Sequence, residues 1–224
     1  PPAKNAERAG ILGSAYKLQA TALSRLERKS WSDISAALGE AAQAYRSAVE
    51  GDPARKPYNT LNALTLAWLS GTLDQPPREA IALARRCGEQ ARKDFAADKG
   101  FWNAVMSADA ALTAWLMGDP LDKPLESLRR CYDEAVAKVP NSAREWDSVV
   151  KQWRILAGFL RLRRQGDRDR NLSDVLEKLA ESQGLATSLT AGRPPGTPAQ
   201  QHSREPAAAK STHPRRTKHK RRPS

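Results

Sequence analysis

Tyr45-x-x-Ala48-Val49-x-x-x-Pro53 and Tyr132-x-x-Ala135-Val136-x-x-x-Pro140 carry one spaced pattern, 87 positions apart (45 to 132). Each closes a segment with an apolar residue every three or four positions. Each therefore reads as the second helix of a helical hairpin, stopped by proline. A hairpin that recurs marks a stacked-helix array, in which every unit buries its apolar face against its neighbours. The pattern sets the class, a helical interaction scaffold, and leaves the ligand open.

Outward from these two stretches, stripes at i, i+3, i+4 and i+7 predict helices along most of the chain. The first spans about 6–26, with Leu12, Ala15, Tyr16, Gln19, Ala22, Leu23 and Leu26 on one face. The second starts near Ser30, has Asp33 at its positive end, and buries Ile34, Ala37, Leu38, Ala41, Tyr45 and Ala48 before Gly51-Asp52-Pro53. A third over 59–70 stops at Gly71, and Pro76-Pro77 opens a fourth that runs to about Ala96. Small residues on the fourth stripe, Ala84, Gly88 and Ala91, let a neighbouring helix come close. A fifth helix over 101–117 closes at Gly118-Asp119-Pro120, and Pro124 opens a sixth. Ser142 and Glu145 form a capping-box pattern before a seventh, which carries Trp146, Val149, Val150, Trp153, Ala157 and Leu160. A short helix over 171–181 is the last. Three antiparallel hairpins and a terminal pair that covers the open end of the stack make the simplest all-α architecture.

Composition agrees. Ala and Leu dominate a 40% hydrophobic chain of 224 residues, and Val, Ile and Thr never alternate over a strand-length run. No apolar run approaches the ~20 residues that cross a bilayer. The opening Pro1-Pro2-Ala3-Lys4 lacks a signal-peptide core, and the missing initiator Met leaves a trimmed start and a piece of a longer chain both open. Cys87 and Cys131 form no C-x-x-C or zinc spacing and read as small semi-buried residues of a reducing, cytoplasmic protein, with a disulfide as the minor alternative.

The net charge of +12 is unevenly placed. From Ala191 onward there are nine Lys/Arg and one Glu, hence +8, which leaves +4 for the other 190 residues. The expected organisation is a repeat domain over 6–184 and a basic tail over 185–224, too poor in apolar groups to order. Arg215, Arg216, Lys218, Lys220, Arg221 and Arg222 form a run without an acid. This run is the candidate anion site, for weak non-specific contact with nucleic acid or another polyanion. No aromatic residue interleaves it, so base stacking is not expected.

Leu12-Gly13-x-x-Tyr16, followed by Ala41-x-x-x-Tyr45-x-x-Ala48-x-x-x-x-Pro53, resembles the tetratricopeptide-repeat (TPR) pattern. Its second half recurs at Leu128, Tyr132, Ala135 and Pro140. The resemblance implies a TPR-like solenoid in which these residues interlock two helices. Gly13 and Ala41 lie 28 residues apart, too far for one standard ~34-residue repeat, so an irregular, divergent array is expected. More loosely, the segments 6–18 and 58–66 look similar to divergent TPR regions of bacterial signalling and conflict-system proteins. The TRAF-binding region of some MAP kinase kinase kinases looks similar too. That likeness implies a sensor or docking part beside a separate effector.

Catalytic chemistry is not expected. His202, His213 and His219 all lie in the tail, which leaves the helical part no imidazole for a triad or a metal site. No phosphate-cradling glycine motif occurs, so no cofactor is expected. Asp133-Glu134 and Asp167-x-Asp169 read as solvated faces and loop ends. Trp68, Trp115 and Trp153 fall on core stripes, whereas Trp31, Trp102 and Trp146 at helix starts read as staples before ligand-facing rim residues. Asn59 and Asn62 share one helix face. The resemblance implies a groove of first helices, where they could hold an extended peptide; otherwise Asn59 is a helix cap and Asn62 an exposed polar residue. The expected function is thus a non-enzymatic scaffold for a protein partner. The alternatives are a nucleic-acid-associated protein acting through its tail and a regulatory fragment of a larger effector enzyme.

Overall fold

The computed structural model describes residues 2–26, 30–49, 51–139 and 142–191, apart from the side chains of 2–5 and 183–191. Among them are eight α-helices, one 3-10 turn and no strand. The helices are α1 Pro2–Leu23, α2 Trp31–Ser47, α3 Pro57–Ser70, α4 Pro77–Ala97, α5 Phe101–Met117, α6 Pro124–Lys138, α7 Ala143–Arg163 and α8 Asp167–Ala191. Successive helices pack on one another as hairpins: α1 on α2, α2 on α3, α4 on α5, α5 on α6, α7 on α8. A single apolar core runs through the array. Pro140 and the tail from 192, including Arg215, Arg216, Lys218, Lys220, Arg221 and Arg222, lie outside the described residues.

The helix ends follow local chemistry. Ser30 caps α2: its Oγ accepts from the Asp33 amide at 3.4 Å, and Asp33 accepts from the Ser30 amide at 3.2 Å. Gly71 and Gly118 end α3 and α5 at φ +77° and +111°, where an L side chain is strained. In both places the next amide reaches back five residues, Thr72 to Ala67 and Asp119 to Ala114. Two expectations fail here. Ser142 makes no side-chain cap to α7, because its backbone (φ −113°, ψ 41°) has left the extended conformation that aims a capping hydroxyl at the helix. Pro53 does not stop α2, which ends at Ser47; it opens the 3-10 turn Pro53–Arg55, capped by Asp52.

The largest correction concerns α1. Of the expected face only Tyr16 and Leu23 pack against the core; Leu12 and Leu26 are 48% and 55% exposed, Ala15, Gln19 and Ala22 are exposed too, and Gly13 and Ala20 turn inward beside Tyr16. Tyr45 dictates this choice. A Cβ on Gly13 would sit 2.8 Å from its ring, so only glycine lets the ring lie flat on the α1 backbone. Gly13→Ala should therefore cost about 1–3 kcal/mol despite the better helix propensity of alanine. Gly158 in α7 has open space around it. Gly158→Ala should stabilise by roughly 0.5–1 kcal/mol. Opposite shifts of the two melting temperatures check the pair. The expected close approach at Gly88 is present, where a Cβ would meet that of Ala110 in α5 at 3.0 Å.

The end of the array is fixed by a clamp. Arg163 at the end of α7 donates through Nε and Nη2 to Asp169 of α8, at 2.9 and 2.6 Å. Its Nη1 donates to the carbonyl of Trp68 in α3, and its guanidinium stacks 4.1 Å from the Trp68 ring centroid. Arg168 donates to the carbonyl of Leu116 in α5. Two cations thus satisfy carbonyls in the last turns of α3 and α5, where the helix dipoles are negative. Asp169 is buried, not a solvated loop end as its sequence setting suggested. α8 also runs to Ala191, beyond the expected Glu181.

Candidate binding site

The odd-numbered helices α1, α3, α5 and α7 bring side chains to one pocket of about 160 Å³. Its polar members are Lys17 from α1, Asn62 from α3, Asp109 from α5, and Ser148 and Gln152 from α7. Tyr58 and Trp102 form its rim, and Met106 and Val149 give it apolar wall. α1 and α7 meet across it. Lys17 Nζ donates to Gln152 Oε1 at 3.2 Å and to Asn62 Oδ1 at 3.3 Å. Asn62 is held in turn by its own helix, through Nδ2 to the Tyr58 carbonyl at 2.9 Å.

Asp109 is the second charge. Tyr132 of α6 donates its hydroxyl to Asp109 Oδ1 at 2.6 Å. Burial pushes the Asp109 carboxyl up to about 6, against the hydrogen bond from Tyr132 and the charge of Lys17, which favour ionisation. Burial likewise lowers the Lys17 ammonium, although Asp109 pulls it back up. The two charges feel each other but do not close into an ion pair within 4 Å. The pocket therefore holds two opposite, half-buried charges that are not joined in a direct ion pair.

An aromatic cluster supports the floor. Tyr132 packs edge-on against Trp153 at 4.6 Å and Trp146 at 6.2 Å, and Phe101 joins Trp146 at 5.6 Å. Trp146 behaves as expected of a helix-start packing residue, and Trp31 is half-buried against the core. Trp102 departs from that reading: it is 46% exposed and belongs to the pocket rim. Its preceding neighbour Phe101 takes the inward place, with the two rings edge-to-face at 5.0 Å.

Of the two asparagines expected to contact a peptide, only Asn62 lines the pocket. Asn59 lies in the first turn of α3, which starts at Pro57, so it is not the helix cap. Its carboxamide faces Gly10 of α1. Lys17, Asp109 and Gln152 carried no signal in the sequence reading. Each is a polar residue one turn from buried apolar neighbours, and the single charged position of the mostly apolar α5, Asp109, was the available hint.

No curated protein and no solved structure matches the chain. Among the described residues, no helix is long and apolar enough to cross a membrane. Residues 2–67, which take in α1, α2 and most of α3, match the family model described as Tetratricopeptide Repeats-Sensor. Over residues 2–67 the chain is thus similar to the tetratricopeptide-repeat sensor family, and the stacked hairpins, without a strand among the described residues, and Tyr45 locked over Gly13 agree with a divergent repeat array.

Proposed function

We propose that the array is a non-enzymatic docking scaffold, the sensor part of a signalling or defence system, and that a protein partner seats on the α1–α3–α5–α7 face. One observation carries this reading. Tyr58 and Trp102 stand 44% and 46% exposed on either side of a pocket built by four helices. Exposed Tyr and Trp beside a concavity are the residue types that dominate binding energy at protein interfaces. Asn62, which lines the pocket, is the asparagine assigned to a partner backbone in this reading, and Asn59, which lies beside Gly10 of α1, is not. Free Cys87 and Cys131 suit a reducing, cytoplasmic setting.

Affinity capture from the native host tests the reading. The intact chain, the double variant Tyr58→Ala/Trp102→Ala and a chain ending at Ala191 serve as bait. The same partner should be retained by the shortened chain and lost by the double variant, with unchanged melting of both. If the shortened chain loses every partner, including nucleic acid, while the double variant keeps them, the basic tail is the binding element instead.

A further inference from the structure

Beneath the rim, the pocket offers an uncommon set of unfilled bonding positions. Asp109 Oδ2 has no hydrogen-bond partner among the described residues, since Tyr132 occupies only Oδ1. Lys17 uses two of its three ammonium hydrogens, on Asn62 and Gln152. The amide nitrogen of Gln152 has no acceptor among the described residues, because its oxygen is the atom that faces Lys17. An anionic acceptor edge and a cationic donor edge thus face one small space.

Simple ligand classes fit this space poorly. An anion bound to Lys17 and Gln152 would lie beside the Asp109 carboxylate. A cation bound to Asp109 would lie beside Lys17. An apolar group would desolvate both charges and pair neither, at a cost that grows with burial. A ligand with both charges a few bonds apart sets each against its opposite. The volume, about 160 Å³, is below the ~300 Å³ at which drug-sized sites begin. Met106 and Val149 leave one apolar wall for a short side chain.

We propose that this pocket binds a small zwitterion, a free α-amino acid with an uncharged apolar side chain. Its ammonium pairs with Asp109 Oδ2, and its carboxylate accepts from Lys17 Nζ and Gln152 Nε2. The proposal rests on the reading of this face as the ligand-receiving surface and adds a small-molecule site below the partner-docking rim. Because the ligand bridges α1, α5 and α7, its binding ties α5 to the α1–α7 contact made here by Lys17 and Gln152.

Calorimetric titration of the full chain tests it, with L-leucine, L-methionine and L-phenylalanine, their amides, and their N-acetyl derivatives. A free amino acid should bind at one site per chain. Capping either end should weaken it about tenfold or more, the effect of leaving a buried charge without its partner. In Asp109→Asn, which keeps an acceptor for Tyr132, N-acetylation should no longer matter. In Lys17→Met, amidation should no longer matter. The capped ligands test the wild-type chain alone, so a variant that fails to fold does not blunt the result. If doubly capped amino acids bind as well as free ones, the site reads peptide amides and the zwitterion assignment is overturned. Absence of heat with every free amino acid at about 10 mM, far above useful affinity, overturns it as well. Partner capture that still depends on Tyr58 and Trp102 would then leave the docking reading standing.

Discussion

Tyr45→Ala and Tyr132→Ala each lower the stability of the array by about 3–5 kcal/mol, close to the whole stability of a marginal domain. Both side chains are fully buried. Both stand on the second helix of a hairpin and send their hydroxyl to the first. Tyr45 meets Ser14 Oγ of α1 at 2.8 Å, and Tyr132 meets Asp109 of α5 at 2.6 Å. Truncation leaves a ring-sized void, beside Gly13 in one hairpin and beside Trp153 in the other. Neither site can collapse easily, since helix backbone forms one wall and a second ring the other.

The hydroxyls separate the two positions. Tyr45→Phe removes a bond between neutral groups and should cost about 1 kcal/mol. Tyr132→Phe strips the Asp109 carboxylate of the one hydrogen-bond donor it has among the described residues and should cost about 1.5–3 kcal/mol at pH 8, where Asp109 is charged. At pH 4.5, below the raised value of about 6, Asp109 is protonated and the Tyr132→Phe cost should shrink. Urea midpoints at the two pH values measure all four variants. Equal and small costs for both alanine variants would show that the spaced Tyr-Ala-Val repeat does not mark equivalent packing positions.

That repeat was legible because a buried aromatic, a small residue one turn later and a break are local demands, imposed by one helix pair on itself. The α1 face was legible only at Tyr16 and Leu23. Its sequence offers two apolar faces, and the larger residues Ile11, Leu12 and Leu18 stay exposed. The choice is made from outside by the Tyr45 ring, which needs the glycine side. A second repeat also stood in the chain, Ala67-Trp68-Leu69-x-Gly71 and Ala114-Trp115-Leu116-x-Gly118. It marks the matched ends of α3 and α5, whose Thr65 and Thr113 hydroxyls meet at 3.1 Å in the core. Its spacing, 47 positions (67 to 114), differs from the 87 of the tyrosine pattern, so no single period exposes both. The pocket was hidden for another reason. Lys17, Asp109 and Gln152 lie on three helices, up to 135 residues apart, and only the curl of the array that brings α1 to α7 assembles them.

The α7–α8 clamp is a third sensitive point, and Arg163→Ala should cost about 3–5 kcal/mol. Arg163 and Asp169 side chains are only 5% and 2% exposed. Burial by itself would push the Asp169 carboxyl up. The hydrogen bonds from Arg163, the Gln165 amide at 2.9 Å, and the charges of Arg163 and Arg168 outweigh it and hold the carboxyl below its usual value. A depressed folded value means that the wild-type contribution is present above the unfolded carboxyl value, about 4. It is lost as the pH falls through the folded one. Arg163→Ala reverses the sign locally. Asp169 keeps only the Gln165 amide and the Arg168 charge against its burial, so its proton affinity rises and the deficit should be largest at pH 7–8. Arg163→Ala/Asp169→Asn removes the stranded charge and should recover more than half of the loss. The carbonyl of Trp68, which loses the Arg163 donor and keeps the Gly71 amide, and the uncovered Trp68 ring account for the remainder. Thermal melts of the three proteins at pH 4 and pH 7.5 decide the matter. A deficit of Arg163→Ala that is the same at both pH values, with no recovery in the double variant, would mean that the clamp acts through guanidinium packing on Trp68 and not through its charge.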